Sequence, residues 1–329
     1  MKRRIKITII SLIIFLISEI TVVTFALAGQ VGSIIYHESL IVVDNNGEGD
    51  YQTIQEAINN AQQGSTIYVK KGEYKEVIMI KKQINLIGEE KDSTLINPIS
   101  EKNKYAICLG APNIKLESLS ITNGASGLYS SGIRVISPNI EIYNCNIFDT
   151  PVGIVIWSSD NNIKDCYFWG CEDEGIALIG TDYSRCNNNQ ISNCIFRNNC
   201  DGIELQYSSN NIISNCDFYN NSHTGIDAIA SSNDNNIILD CRIYDNKVHG
   251  VYFSSSSENI IKDCLIFNND NGNIVINKES KNNQMISNFN SNKEQNRLMI
   301  KDFFHYISNK NFNPNIRGMI SILKSLIHF

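Results

Sequence analysis

From Gly132 onward, apolar and polar positions alternate in short runs, and the runs recur. The phrase GIRVIS opens at Gly132, GIVIWSS at Gly153, GIALIGT at Gly175 and GIELQYSS at Gly202. GIDAIASS follows from Gly225, GVYFSSSS from Gly250, and NIVINKES with Asn273 in the glycine place. The shortest step, from 132 to 153, is 21 residues, and the longest, from 175 to 202, is 27. A second phrase, built around Asn-Cys or Asp-Cys, separates the glycine phrases. Period-two alternation broken by turn residues is a strand signal, and no stretch here keeps a helical spacing. A near-constant period means units that bury their apolar face only against their neighbours. The expected fold is therefore all-β: a right-handed parallel β-helix, a single-stranded solenoid with two or three short strands per coil.

The repeat assigns roles to its punctuation. Each glycine follows a polar turn and precedes an inward Ile or Val, where positive φ or close backbone approach is expected. Asn273 then reads as a left-handed substitute. The pairs Asn161-Asn162, Asn210-Asn211 and Asn235-Asn236 predict turns whose amides bond from coil to coil. Cys145, Cys166, Cys194, Cys216, Cys241 and Cys264 share one slot, with Leu119 and Phe289 taking it in the end coils. Such a column reads as small buried hydrophobes. The alternative is a channel for Cu(I), which thiolates favour. Cys108, Cys171, Cys186 and Cys200 stand outside the column. Cys171 and Cys200 precede successive coil glycines and are candidates for a disulfide.

The two ends break the pattern. Lys2, Arg3, Arg4 and Lys6 precede an apolar run from Ile7 to Ile17, and Ala26-Leu27-Ala28 supplies an A-x-A cleavage site, so residues 1–28 read as a signal peptide. An uncleaved anchor is the alternative, and would place Glu19 near mid-bilayer at a cost. Either way the protein is expected outside the cytoplasm: secreted, periplasmic or at the cell surface. Residues 29–40 read as a linker and 41–290 as the β-helix. Thr53 with Glu56 has capping-box spacing, and Ile54, Ala57, Ile58 and Ala61 predict a short amphipathic helix as N-terminal lid. Residues 291–329 read as a C-terminal cap or tail, with a short helix from Met319 to Ile327.

A formal charge of -6 and an aromatic content of 9 % without interleaved basic residues exclude a basic nucleic-acid stripe. Membrane contact is expected only through the N-terminal segment.

The stretch Asp50 to Gly88, with GDYQTIQEAIN, GSTIYVKKGEYKEVIMI and INLIG, resembles the opening of the pectin-lyase-like β-helix superfamily. The Gly-Ile and Asn-Cys coils resemble NosD-like parallel β-helix repeat proteins. The first resemblance implies a polysaccharide as partner. The second implies a periplasmic or cell-surface accessory module, linked in that family to copper-site maturation. The family signatures of polysaccharide enzymes are missing. No counterpart exists to the catalytic Asp segments of pectin methylesterases, the Asn-Thr-Asp and Gly-His-Gly of polygalacturonases, or the Asp-Pro-His-Asp of mannuronan epimerases.

Candidate chemistry gathers on one strip. In a strand that starts Gly-Ile, the residue two after glycine points outward. That column reads Arg134, Val155, Ala177, Glu204, Asp227, Tyr252 and Val275, and Glu174, Asp201, Thr224 and His249 stand just before the glycines. Glu204, Asp227 and Asp201 are the catalytic candidates, because stacked carboxyl groups drive one pKa up and leave an acid beside a base. Glu174, His223, His249, Trp157, Tyr252 and Arg134 are the substrate-binding candidates. The same oxygens suit Ca²⁺, and a solvated polar face is the plainer reading. Two functions follow: a non-catalytic glycan-binding or NosD-like accessory module, favoured by the missing motifs, or a polysaccharide lyase, epimerase or hydrolase.

Overall fold

The computed structural model describes residues 40–98, 104–124, 126–127, 129–230 and 232–291. The expected signal peptide and the C-terminal helical cap lie outside these residues. Among the described residues no helix is long and apolar enough to cross a membrane.

The chain winds as a right-handed parallel β-helix, and among the described residues its strands form three sheets of 11, 10 and 9 strands, called first, second and third in chain order. Each full coil contributes one strand to each sheet, so Glu141–Tyr143, Asn146–Phe148 and Val152–Ile156 make up one coil. Every pairing is parallel and in register: Ile142 lies against Leu116 and Ile163, and Ile133 against Ile107 and Ile154. Near Thr53 the expected helix forms as Ile54–Asn60, with the Thr53 hydroxyl accepting the Glu56 N–H and Ile54, Ala57 and Ile58 buried. The opening coils also carry strands Gly72–Tyr74 and Thr94–Ile96, which the alternation pattern did not mark.

The core consists of columns. Phe168, Phe196 and Phe218 stack with centroids 4.7 Å apart, and isoleucines continue the column on both sides. This spacing is the strand spacing, so identical side chains from successive coils meet at contact distance. The six cysteines occupy the tight corner between the first and second sheets and are all buried. Their thiols donate to the carbonyl two residues back, at 3.2 Å in Cys166, Cys194, Cys216, Cys241 and Cys264. A small apolar side chain with one weak donor fits a corner that has one carbonyl to spare. At the far end the slot belongs to Asn288 rather than Phe289, because Phe289 pairs with Leu265, and the Asn288 amide oxygen accepts the Cys264 N–H.

Two buried asparagine ladders close the other corners. Asn161, Asn189, Asn211, Asn236 and Asn259 run up one, each amide oxygen accepting a backbone N–H from the coil before. Asn199, Asn221, Asn246 and Asn269 run up the other in the same way. Cys171 sits in this second ladder, since its N–H donates to the Asn199 side chain, while Cys200 is half-exposed one position beyond it. The two are therefore out of register, and all ten cysteines are free thiols.

The repeat glycines serve close approach, not positive φ. A Cβ on Gly153 would stand 2.3 Å from the Gly175 carbonyl oxygen, and one on Gly202 2.5 Å from the Phe218 ring. Left-handed backbone falls instead on the Asn or Asp before each column cysteine, such as Asn144, Asp165 and Asn193. Asn273 is not among the positive-φ residues either, and its carbonyl oxygen is the one a Cβ on Gly250 would meet, at 2.4 Å.

Candidate functional site

Strand register sets which side chains line the outer face of the third sheet. Arg134, Val155, Ala177, Glu204, Asp227 and Tyr252 follow one another directly across paired strands. Glu174 lies beside Asp201 in the neighbouring column. All the expected site residues thus share one face, but in two groups separated by an apolar floor of Val155 and Ala177.

At one end, Arg134 is sandwiched between the Tyr105 and Trp157 rings, 4.9 Å from each centroid, and its Nη2 donates to the Lys104 and Tyr129 carbonyls. Tyr129 meets Trp157 edge-on at 6.0 Å. Both rings pack against Val152, Val155, Ala177 and Ile179. Tyr129 was not foreseen; it lies in a turn outside the repeat, and no periodic signal marks it.

The other end holds the acids, and here the expectation of a solvated strip fails. Glu174, Asp201, Glu204 and Asp227 are 6 %, 5 %, 8 % and 4 % exposed. Burial, reinforced by Glu204, pushes the Glu174 carboxyl up to about 9. Burial raises the neighbouring Glu204 carboxyl too, and the Gln206 amide donates to it. Two buried carboxyl groups that repel each other do not both ionise readily, and Glu174, pushed to about 9, is the one that keeps its proton. Burial, with Asp201 close by, raises Asp227 to about 7, and its Oδ1 has no hydrogen-bond partner.

His223 Nδ1 stands 2.8 Å from Asp201 Oδ1 and 3.8 Å from Asp227 Oδ2. Asp201 Oδ1 also accepts the Thr224 N–H at 2.6 Å. His249 stacks on Tyr252 at 5.3 Å, and burial lowers its pKa. Two sets of donor atoms lie within 4.8 Å of one another: Asp201, His223 and Asp227, and Asp173, Cys200 and Asp201. A separate polar depression of about 620 Å³ lies over the first sheet, lined by Asn85, Lys115, Glu141 and Asn162 among others, and holds none of these acids.

Comparison with known proteins agrees with the fold. The model of the right-handed β-helix region matches residues 83–237 and 179–290, and that of the pectinesterases matches residues 40–111. The chain is 28 % identical over 201 residues to a putative pectinesterase 11 of Arabidopsis thaliana, covering 56 % of each protein. It is 26 % identical over 149 residues to a probable pectinesterase 56 of the same plant, covering 40 % of this chain and 52 % of that protein. The chain thus spans about half the length of these two curated relatives. Among solved structures, a pectin methylesterase from carrot aligns with a TM-score of 0.48 at 16 % identity, covering 76 % of this chain and 82 % of that one.

Proposed function

The chain belongs to the right-handed β-helix family, and on that footing we propose that it hydrolyses esters on a uronate polysaccharide. The observation that carries this reading is the buried Glu174–Glu204 pair on the outer face of the third sheet, where Glu174 keeps its proton beside a second carboxyl group. The pectinesterase relatives support the same substrate class. The missing motifs argued for a non-catalytic module, but a non-catalytic surface gains nothing from burying ionisable groups at a cost in stability.

The chemistry needs one water. Glu204 accepts its proton as the water oxygen adds to the ester carbonyl carbon. Glu174 gives its proton to the departing alcohol oxygen as the carbon–oxygen bond breaks. The products are a uronic acid and an alcohol, and the proton then passes from Glu204 back to Glu174. Arg134 and Trp157 form the binding end of this face, supplying a cation and an aromatic face to an anionic polymer. Export, supported by the N-terminal charge and apolar pattern, belongs to the same proposal.

Incubation of the purified chain with highly methyl-esterified polyuronate is expected to release methanol without shortening the polymer. Glu204→Gln should lower the rate by about 100-fold or more. Polymer binding without release of any alcohol would instead establish the non-catalytic module.

A further inference from the structure

Asp201 and His223 pair as any carboxylate and imidazole do, but Asp227 has no such explanation. Its side chain is 6 % exposed, Oδ1 makes no hydrogen bond, and Oδ2 stands 3.8 Å from His223 Nδ1. In the same turn, Thr224 Oγ1 is also buried without a partner. Buried polar atoms in folded proteins find partners, so a carboxylate with one orphaned oxygen beside two potential ligands calls for a third party.

We propose that Asp201, His223 and Asp227 bind one divalent transition-metal ion of the Zn²⁺ or Mn²⁺ type. The dimensions fit such an ion. Donors about 2.1 Å from a common metal stand about 3.0 Å apart in cis-octahedral and 3.4 Å apart in tetrahedral geometry. The distances to His223 Nδ1, 2.8 and 3.8 Å, bracket those values, and the three donor atoms lie within 4.8 Å of one another. Asp201 and Asp227 sit on adjacent strands of one sheet, and His223 stands four residues before Asp227, across Gly225. Two of the three ligands thus sit on a strand framework, which holds them more accurately than a loop does. The Thr224 N–H on Asp201 Oδ1 orients that carboxylate, as an outer-shell partner does. The His223 side chain is 44 % exposed and provides the entry path.

Ligand type sets the class of ion. Ca²⁺ takes oxygen donors throughout, whereas an imidazole with two carboxylates suits the borderline ions. The oxygens that suggested Ca²⁺ from sequence are thus joined by a nitrogen that redirects the choice. The site stands whether or not the glutamate pair hydrolyses esters.

Equilibrium dialysis of the chelator-stripped full chain against Zn²⁺ alone is expected to give one tightly held equivalent. X-ray absorption should show a shell of nitrogen and oxygen only, at about 2.0–2.1 Å, without the sulfur distance near 2.3 Å that thiols would give. His223→Gln and Asp227→Asn should each weaken binding by about 10-fold or more and reduce the rise in melting temperature that Zn²⁺ gives the parent. Replacing an orphaned carboxylate by an amide leaves the core packing intact, so Asp227→Asn remains a fair test. Well under half an equivalent bound, a sulfur-containing shell, or undiminished binding in the double variant would each overturn the site. No substrate is present, so these outcomes leave the esterase reading untouched, and a lack of esterase activity leaves the metal site untouched.

Discussion

Glu174 is the residue at which burial and ionisation conflict most directly. Its carboxyl is held neutral by burial, with the charge on Glu204 adding to the effect. Stability attached to this protonated form is complete below the unfolded value of about 4.5 and is lost as pH climbs through the folded value of about 9. Glu174→Gln keeps the shape and cannot ionise. Relative to the parent it should therefore gain stability steadily between those limits, by a few kcal/mol at the upper end, with little difference below pH 4. Urea denaturation of chelator-treated parent and variant at pH 4, 7 and 9 measures this, and a constant difference across the three would contradict it. The sequence located these acids because the coil period fixes which columns point outward. Their burial was not legible. It depends on what covers the outer face, and neighbouring coverage such as Tyr129 over Val155 comes from turns that do not repeat.

At the scale of elements, the chain repeats because each column has its own rule. The phenylalanine column needs rings of one orientation, the asparagine ladders need an amide that accepts from one coil and reaches the next, and the cysteine corner needs a small apolar group. The strand assignments and the ladders followed from sequence since period and residue type both encode them. The glycine assignment did not, because close approach between coils leaves no local trace distinct from positive φ. Gly202→Ala tests the distinction. Its backbone φ is ordinary, yet the new Cβ would meet the Gly225 carbonyl oxygen at 2.4 Å and the Phe218 ring at 2.5 Å. The variant should lose roughly 1–3 kcal/mol in urea denaturation, with the cost of overpacking rather than of backbone strain. Gly127, at φ 115 in a non-repeating turn and with only Ser130 Oγ near, at 3.7 Å, is the contrasting case, where any loss arises from conformation alone.

The molecule as a whole is a stack in which each coil touches mainly the one before and the one after, so removing an entire period should be tolerated better than removing part of one. Residues 202–224 form such a period, from one repeat glycine to the residue before the next. Their excision joins Asp201 to Gly225 and brings Phe196 against Ile243, a pairing of the kind that already exists between Phe218 and Ile243. The asparagine ladders close up too, Asn199 meeting Asn246 and Asn189 meeting Asn236. This shortened chain should keep the parallel-β circular dichroism signature and unfold cooperatively. Excision of residues 202–212 alone would set inward side chains against outward ones and should abolish cooperative unfolding. The full-period variant also lacks Glu204 and His223, so a folded solenoid that releases no methanol and binds no Zn²⁺ is the expected result. Retained activity in that folded protein would mean that the chemistry lies on other coils.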